Sequence, residues 1–321
     1  MSEGAKQAMV SIVIPTYNEE GSLEQLHREI ADTARASGID LEMIFVDDGS
    51  RDGSWARIEA LASADSRVRA IKFRRNFGKA AALSAGFAAA SGDIVITMDA
   101  DLQDSPSEIP NLTAKINEGW DLVSGWKKRR HDPWHKTIPS RVFNWIVSSV
   151  SRLKLHDHNC GLKAYRADVT KEIRLYGEMH RFATVLAHAR GFKVTEVPVE
   201  HRKRIHGKSK YGVSRFIKGL LDLLTVRFLT GYGERPLHFM GGVGLTAFFL
   251  GLLGLGYLAV IWCMGHRPIG TRPILVYSVA ALLVGAQMIA VGILAEMIAS
   301  RSVGPQGTCE SSSYSVEKRI G

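Results

Sequence analysis

Ile94-Val95-Ile96-Thr97-Met98-Asp99-Ala100-Asp101 is a short aliphatic run that breaks off on two carboxylates. Such a run, rich in β-branched residues, reads as a strand buried on both faces, with the acidic turn marking its carboxyl end. Side chains at i and i+2 of an extended chain point the same way, so Asp99 and Asp101 share a face. Two hard oxygen donors so placed suit Mg2+ or Mn2+, with diphosphate oxygens filling the remaining positions. A solitary Asp-x-Asp also serves as an ordinary turn or cap, so the surrounding chain decides the reading.

The surrounding chain repeats the pattern. Residues 10–14 form an apolar run ended by Pro15, residues 41–46 another ended by Asp47-Asp48-Gly49-Ser50, and residues 68–73 a third. Leu23, Leu26, Ile30, Ala31 and Ala34 recur at helical spacing up to Gly38, and residues 52–61 and the Ala-rich 79–90 read as two more helices. Ser105-Pro106-Ser107-Glu108 has the form of a capping box, ahead of a helix that Gly119 stops, and residues 122–125 add a strand. Alternation of strands and helices predicts an α/β domain with a parallel sheet and helices on both faces. Ligands of such sheets bind beyond the carboxyl ends of the strands, where each acidic turn lies. Asp47 or Asp48 there suits hydrogen bonds to a nucleobase or ribose, the plainer alternative being an Asx turn with Gly49. The basic stretch from Arg74 to Lys79 opens a helix, and helix N-termini suit phosphate.

Beyond residue 236 the chain changes character. Residues 239–265 are 27 in a row without a charge and residues 273–295 another 23, each enough to cross a bilayer. The connector 266–272 is too short for a domain, so both flanks of the pair lie on one side, and the Lys/Arg-rich bulk places that side in the cytoplasm. Residues 214–230 have a wide apolar face opposed by Arg215, Lys218 and Asp222, the pattern of an interfacial helix. Residues 134–153 read as helix near a membrane surface or as ordinary core helix. The expected organisation is a catalytic domain over 1–213, an interfacial helix and linker over 214–236, a transmembrane hairpin over 237–299 and a polar, poorly ordered tail over 300–321.

The net charge of +9, concentrated at 127–130 and 202–210 just ahead of the apolar segments, points to a membrane surface and phosphate-bearing ligands and away from nucleic acid. Three cysteines, Cys160, Cys263 and Cys309, are too dispersed for a disulfide framework or a zinc site. The first fifteen residues hold no long apolar segment, so no cleaved signal peptide is expected.

Four motifs in order, Ile14-Pro15-Thr16-Tyr17-Asn18-Glu19-Glu20, Val46-Asp47-Asp48-Gly49-Ser50, Arg75-Asn76-Phe77-Gly78-Lys79 and Asp99-Ala100-Asp101-Leu102-Gln103, resemble those of family 2 glycosyltransferases. Cys160-Gly161-Leu162-Lys163-Ala164-Tyr165-Arg166 and Gly207-Lys208-Ser209-Lys210-Tyr211-Gly212 are similar to elements of the dolichyl-phosphate mannose synthases and bacterial polyprenyl-phosphate glycosyltransferases with two transmembrane helices. The resemblance covers nearly all of residues 10–300.

It implies a GT-A (Rossmann-like) fold and inverting transfer of one sugar from GDP-mannose or a UDP-hexose to dolichyl or undecaprenyl phosphate. It implies Mg2+ or Mn2+ at Asp99, Asp101 and Gln103, and nucleotide contacts from Pro15, Tyr17, Glu19 and Asp47 or Asp48; Lys79 joins them from the basic loop at the helix N-terminus, as a contact to phosphate or base. Phosphate contacts are implied for Lys163, Arg202, Lys208, Ser209 and Lys210, where family members often carry Phe-Arg in place of Leu162-Lys163. Lysine keeps the charge and loses the bidentate fork. Asp157, ahead of Asn159-Cys160-Gly161, stands where a base would, although a phosphate acceptor needs only orientation from it. Expected partners are thus a nucleotide-sugar, a polyprenyl phosphate and a membrane, with homo-oligomerisation left open. Two alternatives share the front motifs. A processive polysaccharide synthase normally also carries Gln-x-x-Arg-Trp, which is missing from this sequence. A non-catalytic nucleotide-sugar sensor would not need both acidic turns intact.

Overall fold

The computed structural model describes residues 8–128, 144–202, 225, 236–266, 268–302 and 316–321. The chain divides into two compact units, Met1–Val226 with Ser311–Gly321, and Arg227–Glu310.

The first unit is built on β1 (Val10–Thr16), α1 (Leu23–Ser37), β2 (Leu41–Asp47), α2 (Ser54–Ala64), β3 (Val68–Phe73), α3 (Lys79–Ala89) and β4 (Ile94–Thr97). It continues with α4 (Ile109–Asn117), β5 (Leu122–Trp126), β6 (Lys163–Arg166), α5 (Ala167–Glu172), α6 (Ala183–Ala189), β7 (Val194–Pro198) and, at the far end of the chain, β8 (Val316–Ile320). The sheet order is β7-β5-β6-β4-β1-β2-β3-β8. Central strands are covered on both faces, which is why they read as unbroken apolar runs. Val10, Ile12 and Ile14 join Leu23, Leu26 and Ile30 of α1 in one core, while Val13 meets the Ala-rich face of α3 in the other. Gly86 allows that approach, since a Cβ there would collide with the Val13 side chain.

Three expectations are corrected. The sheet is mixed, because β6 runs antiparallel to both β4 and β5. The chain leaves β5 at the carboxyl edge and re-enters β6 from that same edge, so β6 must run the other way. The capping box does not form: Pro106–Glu108 is a 3-10 turn and α4 starts at Ile109. Glu108 instead accepts from Asn111 Nδ2 at 2.9 Å and from the Glu200 amide at 3.1 Å, and Ser105 Oγ faces Ser107 Oγ at 2.8 Å. The polar tail ends in β8, an edge strand antiparallel to β3, rather than in a poorly ordered run. The interfacial segment 214–230 lies outside the described residues except for helical Thr225, and of 134–153 residues 144–151 are helical with Trp145 70% exposed.

One polar network ties the amino ends of the strands. Buried Glu42 on β2 accepts from Ser11 Oγ at 2.6 Å, the Ser91 amide at 2.7 Å and Arg69 Nη1 at 2.9 Å. Burial pushes its carboxyl up, but these donors together hold it below its usual value.

The second unit is a hairpin of α7 (Pro236–Cys263) and α8 (Pro273–Ser302). Both are long and apolar enough to cross a membrane, with mean hydropathy 2.1 and 2.2. Their large side chains face outward, Leu253 69% and Val276 67% exposed, as lipid-facing surfaces do. The helices touch through small residues: a Cβ on Gly285 would lie 2.6 Å from the Gly244 carbonyl, and one on Gly251 2.6 Å from that of Ser278. Glu296 Oε2 accepts from the Leu237 amide at 3.1 Å, satisfying one helix-terminal donor. Gly285→Leu is expected to lower the temperature of inactivation in detergent by several degrees. Gly256→Leu, where nothing lies within 4 Å of the added carbon, leaves it unchanged. Equal behaviour of the two variants would show that close helix contact contributes nothing.

Candidate active site

The carboxyl ends of β1, β2 and β4, with the loop after β3, enclose a cleft of about 290 Å3 lined by Pro15, Tyr17, Glu19, Asp48, Lys79, Asp99 and Asp101 among others. A second, open groove of about 550 Å3 runs between α1 and the end of α2. Its Asp65 is taken up by His27 at 2.9 Å and Arg67 at 2.8 Å, and the cleft at the carboxyl edge, which holds both acidic turns, is the candidate site.

The two acids after β2 do different work. Asp48 accepts from the Phe77 amide at 2.7 Å and the Gly78 amide at 2.9 Å, pinning the basic loop over the cleft. Asp47 Oδ1 accepts from the Ser50 amide and hydroxyl, while its buried Oδ2 has no hydrogen-bond partner. Burial raises both carboxyl pKa values above the ordinary aspartate range. Gly49, at φ +70, packs on this loop, and a Cβ there would lie 2.7 Å from the Asn76 amide nitrogen.

After β4 the chain turns sharply. Leu102 takes a left-handed φ of 60, held there by burial of its side chain in the core. Asp101 Oδ1 accepts from the Gln103 amide at 3.3 Å, and Gln103 Nε2 lies 3.5 Å from His201 Nε2. Asp99 is ion-paired with Lys79. Burial would raise the Asp99 carboxyl, but Lys79 beside it, with Lys127 and His180 further off, holds it at about 2. Gly161 backs onto this group, since a Cβ would lie 2.6 Å from Asp99 Oδ2.

Beneath the cleft lies a buried charge cluster. Lys163 on β6 donates to the Cys160 carbonyl, and burial lowers its pKa. Asp157 is buried and accepts from the Asn159 amide at 3.1 Å. Lys127, just past β5, lies 3.4 Å from Asp104, whose two buried oxygens have no hydrogen bond. Burial would lower the Lys127 pKa, but Asp104, Asp99 and Asp157 around it raise it, and burial raises that of Asp104. Cys160 is pushed up to about 12 by burial and is inert as a nucleophile.

Asp99, Asp101 and Lys79 are thus brought to one cleft with Pro15, Tyr17, Glu19 and Asp48, while Asp157 and Lys163 lie in the buried cluster beneath it. Arg202 is directed elsewhere: it pairs with Glu29 of α1 at 2.6 Å and donates to Ser105 Oγ at 3.0 Å. Lys208, Ser209 and Lys210 lie outside the described residues. Sequence reasoning named Lys127 only as part of the basic cluster 127–130 and did not single out Asp104 or His180. Lys127 follows a strand end and Asp104 follows the acidic turn, which were the available signals; nothing local marked His180.

Buried His158 supplies a pH test. Its ring lies 3.0 Å from Ser148 Oγ and 3.3 Å from Thr184 Oγ1, and burial, with Lys163 nearby, holds its pKa at about 4. A histidine depressed on folding contributes stability above its unfolded pKa, which is lost as pH falls toward the folded value. Between about pH 6.5 and 4 the full chain should lose on the order of 3 kcal/mol of stability through this residue. Thermal unfolding across this range should show a shallower acid slope for His158→Gln; an unchanged slope refutes the assignment.

Residues 11–174 match the family model described as glycosyl transferase family 2. The chain belongs to that family. Along 295 residues this glycosyltransferase is 40% identical to a dodecaprenyl-phosphate galacturonate synthase of Rhizobium johnstonii, covering 90% of this chain and 87% of that one. It is 39% identical to an undecaprenyl-phosphate 4-deoxy-4-formamido-L-arabinose transferase of Shewanella sediminis, covering 90% and 86%. Among solved structures, glucosyl-3-phosphoglycerate synthase of Mycobacterium tuberculosis, in complex with Mn2+, UDP and phosphoglyceric acid, superposes with a TM-score of 0.54 at 19% identity, covering 70% of this chain and 78% of that one. That likeness gives the glycosyltransferase its GT-A fold.

Proposed function

We propose that this chain transfers a single sugar from a nucleotide-sugar to a polyprenyl phosphate at the cytoplasmic face of a membrane, with inversion at the anomeric carbon. The observation that carries the reading is the likeness to two polyprenyl-phosphate sugar transferases over 90% of the chain. That span takes in most of the cleft domain and the apolar hairpin together.

The nucleotide lies between the turn after β1 and the Asp48-pinned loop, and its diphosphate reaches toward Asp99 and Asp101. Among the described residues no three His, Cys, Asp or Glu side chains gather as a closed metal site. Two carboxylates on one turn fit an ion that takes its remaining ligands from a diphosphate, so Asp99 and Asp101 would hold Mg2+ or Mn2+, with Gln103 beside them. Such an ion offsets charge on the leaving diphosphate. Lys79 meanwhile neutralises Asp99 and keeps the acidic turn in place.

The acceptor phosphate has a second pKa near 6, so an anionic oxygen is available without a base. That oxygen attacks the anomeric carbon as the bond to the diphosphate breaks, converting an α-linked donor to a β-linked lipid phosphate. Lys127, whose side chain is partly exposed, supplies cationic neutralisation at the edge of the cleft, while buried Lys163 adds positive charge from beneath and Asp157 orients its surroundings. The panel that tests this reading offers labelled GDP-mannose, UDP-hexoses and UDP-uronic acids with polyprenyl phosphate. Label from one donor should enter the lipid phase as a single sugar. Label in a polymer, in a sugar hydroxyl product, or with retained configuration would overturn the reading.

Support for the topology comes from β8. The chain passes through two apolar helices and returns to pair with β3, so it crosses an even number of times. A cysteine replacing Ile269 in the connector is expected to react with an impermeant thiol reagent from outside, and one replacing Ser313 to be protected. The reverse pattern would place the catalytic domain outside.

A further inference from the structure

The C-terminal strand fits the sheet edge with a specificity that a loose tail does not need. Val316 pairs with Phe73, Lys318 with Lys72, Arg319 with Ile71 and Ile320 with Ala70. The register shifts between Lys72 and Phe73, so Glu317 is the extra residue of a bulge. Without a bulge, Val316 and Ile320, four apart, would face the same side. With it they face opposite sides: Val316 packs against the core that holds Phe73 and Phe77, and Ile320 against the core that holds Ala70. Each apolar end of a five-residue strand is thereby half-buried, on a different face of the sheet. Two ion pairs, Lys72 with Glu317 at 3.4 Å and Lys318 with Glu59, fasten it sideways.

The strand is joined where the donor cleft is made. β3 runs straight into the basic loop, and Val316 enters the sheet at the carboxyl end of β3, opposite Phe73. Phe77, whose amide Asp48 accepts, packs edge-on against Phe73 with ring centroids 5.7 Å apart. Lys72, the partner of Glu317, stands in register with Asp47 on the neighbouring strand. The tail reaches Asp48 in three contacts, through Phe73 and Phe77, and Asp47 in two, through Lys72.

We propose that β8 is a positioning element for the donor site: by completing the β3 edge it holds the loop that Asp48 pins, so that docking of the tail sets nucleotide affinity. This rests on the nucleotide binding beside Asp48, as set out under Proposed function.

The test uses the full chain and a chain ended after Ser315, both in detergent. The shortened chain should show a donor KM raised about tenfold with kcat and acceptor KM changed less than about twofold, the signature of lost binding confined to one substrate. A peptide of residues 314–321 added in excess should restore the donor KM saturably, while the same peptide with aspartate in place of Val316 and Ile320 should not. If the shortened chain does not fold, Glu317→Lys decides, because Glu317 is 47% exposed and its reversal leaves the packing intact while opposing Lys72. A several-fold rise in donor KM is expected there. An unchanged donor KM in the folded variant, or a loss that falls equally on both substrates and that the peptide does not reverse, overturns the proposal. Asp48→Ala separates the two ideas: if it too leaves nucleotide affinity unchanged, the placement of the donor is wrong, and if it abolishes affinity, only the role of the strand is at stake.

Discussion

Asp101→Asn is expected to lower sugar transfer by about two to three orders of magnitude, the scale on which a single preorganised electrostatic contact to a developing charge is worth. Folding should be spared. Asp101 Oδ1 accepts from the Gln103 amide, and the asparagine carbonyl keeps that bond. The change is isosteric, so the fold should persist. What is lost is a hard anionic oxygen on the turn that faces the diphosphate. Chelation by EDTA should reproduce the loss in the unaltered chain, with recovery on adding Mg2+ or Mn2+. Asp99→Asn is a poorer test, because it also frees Lys79 from its partner. Transfer by Asp101→Asn within about tenfold of the unaltered chain, or full activity in a verified metal-free preparation, would remove the ion from the reading.

The parts of the fold that were legible in the sequence are those where local pattern and burial agree. Strands β1 to β4 are apolar runs because both faces are covered, and each ends on a residue that turns the chain into the cleft. Asp99, Asp101 and Asp48 could be placed because strand ends converge on one edge whatever the details of packing. Arg202 could not. Its backbone lies beside Gln103, where the amide donates at 2.9 Å, yet its guanidinium reaches away to Glu29, a partner 173 residues earlier. The direction of β6 was hidden because it depends on where an excursion from 127 to 162 re-enters the sheet, which no local periodicity records. The final strand was hidden by its own bulge, which breaks the alternation by which strands are recognised. The pairing of Lys127 with Asp104 was missed for a related reason: the lysine read only as one of a basic cluster, and only the fold sets it against a carboxylate that has no hydrogen bond.

That pairing makes Lys127→Met the second large effect. Asp104 is 1% exposed, and its oxygens have no hydrogen bond, so the Lys127 ammonium at 3.4 Å is its counter-charge. Removing one member of a buried pair typically costs about 3–5 kcal/mol, because the other charge is left stranded. The single variant should therefore fold poorly, and its inactivity alone would say little. The informative variant is Lys127→Met with Asp104→Asn. Neutralising both members removes the stranded charge, so most of the lost stability should return. If Lys127 also neutralises the acceptor phosphate, transfer should stay down by about a hundredfold, because the neutral pair supplies no cation at the edge of the cleft. The loss should appear in use of polyprenyl phosphate, while nucleotide affinity, set across the cleft by the Asp48-pinned loop, stays near that of the unaltered chain. Lys127→Arg, which keeps the charge, should retain much of the activity. Near-normal transfer by the stable double variant would show instead that Lys127 serves only to neutralise Asp104, and that the acceptor phosphate is met by other cations.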